Sequence, residues 1–173
     1  FFLLDREPQV PFEGGHRLSR DLIEGRVQFD HVDFAYPSRT DQVVLTDLNL
    51  ELKSGEVLAL VGQSGGGKST IAHLIEGFYR PTAGKILLDG QDMAHLDPRH
   101  LRRLIGIVNQ EPTLFACSIA ENIAYGTELS HFASPAERSR AIIKAAKMAN
   151  AHEFITQFPQ QYETLVGERG VRL

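Results

Sequence analysis

The sequence has no tryptophan, two methionines and a single cysteine, Cys117. One cysteine excludes an intrachain disulfide and suits a reducing compartment; its simplest role is that of a small, half-buried side chain. No apolar run approaches the ~18 residues needed to cross a bilayer. The opening "FFLL" is too short for a signal peptide. Charge of one sign is also scarce. Against 18 Lys+Arg stand 22 Asp+Glu, a net charge of −4, with an isoelectric point near 6.0. That balance argues against an electrostatic grip on nucleic acid or anionic lipid. No initiator methionine precedes Phe1, and Leu173 falls inside what reads as a functional loop, so the sequence reads as a piece of something longer.

What is present suits one globular domain: 173 residues, 42% hydrophobic and 23% charged. The first twenty or so residues show no sustained period and read as a helix end (Phe1 to Leu4) followed by a linker. From Gly25 the pattern alternates. Val27 and Phe29 share one face, then Val32 and Phe34 after a slip, which predicts a strand with a bulge. Leu48, Leu50 and Leu52 predict a second strand, and Ser54-Gly55 a turn into the apolar "VLALV" (57–61), expected as a buried strand of a mixed sheet. A helix with Ile71, Leu74, Ile75 and Phe78 inward should end near Gly77; "RPTAGKILLDGQ" should give a turn, a strand and an Asp89-Gly90 turn. Asp97-Pro98 is an N-cap with Pro at N1, and "IGIV" (105–108) is expected as another buried strand. Ser118 with Glu121, and Ser134 with Glu137, are capping signatures. The second opens a helix expected to turn Ile142, Ile143, Ala146 and Ala149 inward, and "AHEFITQF" should add one more. Strands first and helices last imply an α/β core with an attached helical subdomain.

The residues that carry chemistry lie at 62–70. "GQSGGGKST" fits G-x-x-x-x-G-K-S from Gly62 to Ser69. A loop that wraps a phosphate turns its N–H groups inward at backbone angles that glycine tolerates, hence Gly62, Gly65, Gly66 and Gly67. Gln63 and Ser64 lie between them. Lys68 supplies a mobile positive charge, Ser69 a hydroxyl for Mg²⁺, and Thr70 opens a helix whose N-terminus adds partial positive charge. An apolar run before and an amphipathic helix after support this over a plain glycine turn with a solvated lysine. Alone, the loop says nucleotide and little more.

Further stretches narrow the family: "FAYPSR", "PTAGKILLDGQDM", "VNQEPTLFACSIAENIAYG" and "TLVGERG". In this order and spacing they resemble the nucleotide-binding domain of ATP-binding cassette (ABC) exporters over nearly the whole chain. "LLDREPQVPF" and "EPTLFACSIAENIAYG" look like B-type half-transporters, most like the mitochondrial inner-membrane members. The resemblance implies an α/β P-loop NTPase core with an antiparallel β subdomain and the start of an α-helical subdomain. It implies a linker from a transmembrane domain over 1–22 and the N-terminal part of a nucleotide-binding domain over 23–173, its helical subdomain beginning near 118.

The resemblance also implies roles. ATP and Mg²⁺ are the cofactors, held by 62–70. Tyr36 would stack on adenine, a contact of about 1–3 kcal/mol with little preference among bases; otherwise it is a tyrosine ending a strand. Gln110 would reach Mg²⁺ and the attacking water, and with Lys68 would serve the reaction. Glu111 to Ser118 would touch the coupling helices of the membrane domain, as would Glu168; a lone Glu there is otherwise a solvated charge. The implied partners are a transmembrane domain of the same parent chain and a second nucleotide-binding domain, as a homodimer. The implied place is a membrane, with this domain on its matrix or cytosolic side and the mitochondrial inner membrane favoured. Gln63 stands where these exporters often carry Pro, at a position the loop pattern leaves free. The family's signature loop, Mg²⁺-coordinating Asp, catalytic Glu and switch His are absent from these 173 residues. Hence the chain is expected to hold ATP without turnover, to leave "VLALV" and "IGIV" short of neighbours, and to be marginally stable. A soluble cassette ATPase, or a truncated ATP-binding module without catalysis, are the alternatives.

Overall fold

The computed structural model describes residues 8, 10–110, 113–127 and 132–167, without the side chain of Arg20. The chain divides into two compact units, 1–107 and 108–173. The first is built on strands β1 (Val27–Ala35), β2 (Val43–Leu52), β3 (Ala83–Leu88) and β4 (Gln91–Asp92). They pair in the order β2-β1-β3-β4, every pair antiparallel. The bulge expected in β1 is there. Its register slips between Phe29 and Val32, where His31 takes a φ of 49°. The slip keeps Val27, Phe29, Val32 and Phe34 all buried despite the change of phase.

Helix α1 (Lys68–Ile75) lays Ile71 and Leu74 on that face. It stops at Glu76, so Phe78, expected on its inner side, lies beyond its end and is exposed. Helix α2 (Pro98–Leu104) begins at the expected cap: the Asp97 carboxylate accepts the N–H groups of Arg99 and His100 at 2.9 and 3.2 Å. Arg102 of α2 sits over the Phe78 ring at 5.1 Å and donates to the carbonyls of Glu76 and Gly77. A cation thus meets the free carbonyls at the end of α1, where the helix dipole is negative.

Residues 13–18, which carry no periodic pattern, form a strap on this unit. His16 donates its N–H to the carbonyl of His95, and Asp97 donates its own to the carbonyl of His16, both at 2.8 Å. Arg17 pairs with Asp97 at 3.0 Å, Arg99 with Glu13 at 3.3 Å, and the His100 ring reaches the Leu18 carbonyl. The His100 N–H above all, then Arg17 and the Arg99 N–H, hold the Asp97 carboxyl below the ordinary carboxylate range, against burial. That contribution is present above the ordinary value and is lost as pH falls through the depressed one.

Two expectations of buried strands do not hold. Residues 57–61 and 105–108 are not in strands; Val57 and Val108 are 96% exposed and Val61 93%. The physical reason is pairing. A strand exists only with a ladder partner, and no described residue pairs with either segment. The mixed sheet expected from them is correspondingly absent among the described residues. The shortage of neighbours expected for both runs is what their exposure displays.

The second unit holds α3 (Ile119–Ala124), α4 (Pro135–Met148) and α5 (His152–Thr156). Ser118 and Glu121 form the full reciprocal capping box. Ser134 caps α4 through the Glu137 N–H, but the Glu137 carboxylate reaches past the cap to the Ala133 N–H. Ile142 and Ala146 are buried as expected and Ile143 half-buried; Ala149, the C-cap, is exposed because the helix has already ended. Residues 164–166 pair back on 117–119, through Ile119 N–H to Thr164 and Val166 N–H to Cys117, closing a core of Ile119, Ala146, Ile155 and Val166. Cys117 is half-buried and free. Phe1 to Leu4, Glu111, Pro112 and Glu168 lie outside the described residues.

The strap yields a prediction. Gly15 has φ +99°, and a Cβ there would stand 2.6 Å from the His95 carbonyl oxygen. Gly15→Val should therefore destabilise the first unit by about 1–3 kcal/mol, lowering the thermal midpoint by several degrees. An unchanged midpoint in a calorimetric scan would mean that the strap is not docked in solution.

Candidate functional site

The loop at 62–70 takes its shape from Gly67. This residue is the N-cap of α1, with φ 81° and ψ 2°, a left-handed backbone that costs a side-chain-bearing residue roughly 1–2 kcal/mol. A Cβ here would also stand 2.8 Å from Leu45 Cδ2. The loop thus lies against β2 through a face with no side chain. The start of α1 is consequently bare. Helices α2, α3 and α4 each begin on a side chain that accepts first-turn N–H groups, whereas α1, like the short α5, begins with no side-chain cap. Its leading N–H groups, at Lys68, Ser69 and Thr70, are free to meet an anion.

Lys68 is placed to join them. Its ammonium donates to the carbonyls of Gly62 and Gln63, at 2.7 and 2.6 Å, so it closes the loop on itself. The Gly66 N–H turns back to the Gln63 carbonyl at 3.1 Å. Ser64, Gly65 and Ser69 are exposed along the mouth. A multiply charged anion here would meet an ammonium and a helix N-terminus together, and could draw Lys68 off its carbonyl partners.

Tyr36 follows β1 and is brought to the same place. Its hydroxyl lies 2.9 Å from Thr70 Oγ1 and 3.4 Å from His73 Nδ1. Its ring meets those of Phe34 and Tyr79 edge-on, with centroids at 4.9 and 5.1 Å. One unit therefore gathers Tyr36 with Gly62, Gln63, Ser64, Gly65, Gly66, Gly67, Lys68, Ser69 and Thr70. Gln110 falls at the start of the other unit, where it is exposed. His73 was not foreseen. Its spacing of three from Thr70 puts the two on one helix face, a signal visible in the sequence only once Tyr36 is known to lie there.

Among the described residues no helix is long and apolar enough to cross a membrane, and no group of three or more His, Cys, Asp or Glu is placed to hold a metal ion.

Comparison with known proteins gives this geometry its context. A sequence model of the ABC transporter family matches residues 45–170. ABC transporter B family member 4 of Dictyostelium discoideum is 49% identical over 171 residues, 99% of this chain and 21% of that protein. The mouse mitochondrial ATP-binding cassette sub-family B member 10 is 46% identical over 172 residues, 99% of this chain and 23% of that protein. The human mitochondrial potassium channel ATP-binding subunit is 49% identical over 168 residues, 96% of this chain and 22% of that protein. A solved bacterial Atm1-family ABC exporter with ATP bound matches with a TM-score of 0.85 at 42% identity, covering 99% of this chain and 29% of that one. The chain thus spans less than a quarter of the length of these curated relatives.

The loop geometry predicts that Lys68 dominates anion affinity. Lys68→Ala removes a charge-assisted contact worth about 1.5–3 kcal/mol, roughly ten- to a hundredfold in Kd. A fluorescent-nucleotide titration measures it, and an unchanged Kd would show that the ammonium does not meet the phosphates.

Proposed function

The chain belongs to the ABC transporter family, and from that premise we propose that it binds Mg-ATP at residues 62–70 as part of the nucleotide-binding domain of a B-type exporter. The observation that carries this reading is the uncapped start of α1 beside the Lys68 ammonium. Each residue then has a task. The N–H groups of the loop and first helical turn donate to phosphate oxygens, and Lys68 neutralises the most charged end of the ligand. Ser69 offers its hydroxyl to Mg²⁺, with Gln110 as the second protein ligand. Few protein ligands suffice, because Mg²⁺ keeps its waters and is held largely by the phosphates themselves. The Tyr36 ring receives the adenine.

In the whole protein the same site would hydrolyse ATP to drive transport across a membrane, with two such domains closing as a homodimer over two nucleotides. The mitochondrial relatives favour the mitochondrial inner membrane, with this domain on its matrix or cytosolic side. Contact with a transmembrane domain is supported in the second unit. Phe115 and Tyr125 stack at 4.0 Å with 22° between their planes, and both are exposed. Asn122 fixes this pair by bonding both the N–H and the carbonyl of Phe115. A rigid, exposed aromatic surface is costly in water and useful against an apolar segment of another domain. Residues 57–61 and 105–108 invite cover of the same kind, and the longer relatives have more chain with which to supply it.

Phosphate binding does not itself provide hydrolysis, which needs a group to orient and activate water. Residues 62–70 contain no carboxylate. The purified 173-residue chain should therefore bind Mg-ATP, raising its thermal midpoint with ligand concentration, and release phosphate no faster than Lys68→Ala. Turnover well above that control would show that this stretch holds a complete catalytic set. No shift of the midpoint by ATP would overturn the nucleotide reading.

A further inference from the structure

Resting on the reading of Tyr36 as the adenine platform, we propose that His73 is a positioning residue for the bound base, acting through the Tyr36 hydroxyl. That hydroxyl stands between Thr70 Oγ1 at 2.9 Å and His73 Nδ1 at 3.4 Å. Both partners project from α1, one turn apart, and Thr70 is buried at 4% exposure.

A phenol carries one proton and two lone pairs, so it donates to one neighbour and accepts from the other. With His73 neutral and Nδ1 unprotonated, Tyr36 donates to the ring and accepts from Thr70. With the ring proton on Nδ1, that N–H donates to Tyr36, which donates in turn to Thr70. The three groups stay satisfied either way by reversing the chain of donors. The tip of the tyrosine is thus held by either tautomer of His73.

Holding the tip matters because of how the ring is held elsewhere. Phe34 and Tyr79 meet it at interplanar angles of 79° and 90°. The hydroxyl lies on the ring's long axis, so its partners fix where the far end of the ring sits and with it the swing of the whole ring about χ1. Stacking on a base depends on where that ring is held. Thr70 also contributes one of the uncapped first-turn N–H groups of α1. The Tyr36 hydroxyl therefore joins the base platform to the helix turn that meets the phosphates, and His73 is the outer anchor of that joint.

Calorimetric titration of the 173-residue chain with Mg-ATP and with Mg-tripolyphosphate separates the base contribution from the phosphate contribution. His73→Ala should weaken ATP about three- to tenfold, the range of one modest hydrogen bond, and leave tripolyphosphate unchanged. His73→Asn, whose side-chain amide lies near the position of Nδ1, should restore most of the loss. In a Tyr36→Ala background, His73→Ala should have no further effect. Equal weakening of both ligands, persistence of the His73 effect without Tyr36, or an ATP affinity indifferent to His73→Ala would each overturn the proposal. Failure of the underlying reading looks different. There, Tyr36→Ala would leave the ratio of ATP to tripolyphosphate affinity where it was, and the His73 role would fall with it.

Discussion

The left-handed backbone of Gly67 is the constraint on which the site depends. It lets α1 start in contact with Leu45 of β2 at a distance that no Cβ would permit. It also puts a residue without a side chain at the one position where a cap would satisfy the helix's leading N–H groups. A Ser or Asp in its place would occupy the very donors that an anion needs. The loop's open electrostatics and its packing against the sheet thus have a single origin. Lys68 follows from the same geometry, since its ammonium can reach the Gly62 and Gln63 carbonyls only because the loop folds back over the helix start.

Around this point the first unit is tied together by polar contacts at helix ends as much as by its core. Phe34, Val32 and Leu74 bury the centre, while Arg102 closes the C-terminal end of α1 and Asp97 opens α2. Asp97 does two jobs at once. It caps α2 and anchors Arg17 of the strap, so residues far apart in sequence share one carboxylate. The strap therefore reports on the start of α2, and its loss would be felt there first.

What could be read in the sequence was what is decided locally. Caps at Asp97, Ser118 and Ser134, the Asp89-Gly90 turn and the glycine turn that opens α1 all depend on residues within a few positions of each other. So does the bulge in β1, which announces itself as a slip in alternation. The apolar runs at 57–61 and 105–108 were misread because burial is a property of the partner, and a run of valines and leucines looks the same with or without one. The strap was invisible for the opposite reason: its hydrogen bonds run through the backbone of His16, His95 and Asp97, and backbone pairing leaves no pattern in side chains. Phe78 and Ala149 were misplaced by a turn or less, each where a helix ended before its hydrophobic spacing did. At the site, Tyr36 was named through resemblance alone, and its hydroxyl contacts with Thr70 and His73 needed the fold.

The placement of the site residues separates holding a nucleotide from consuming one. The residues proposed to hold the phosphates and the base, namely the loop, Lys68, Ser69, Thr70 and Tyr36, belong to the first unit, and Tyr36 and Thr70 are in direct contact there. Gln110, proposed to meet the water and the metal, belongs to the second unit. Acceleration requires groups that interact more strongly with the transition state than with bound ATP, the task proposed for Gln110 together with Lys68. The division places affinity and turnover under different structural controls. Changes within the first unit should move Kd, while the role proposed for Gln110 bears on the step that consumes the nucleotide.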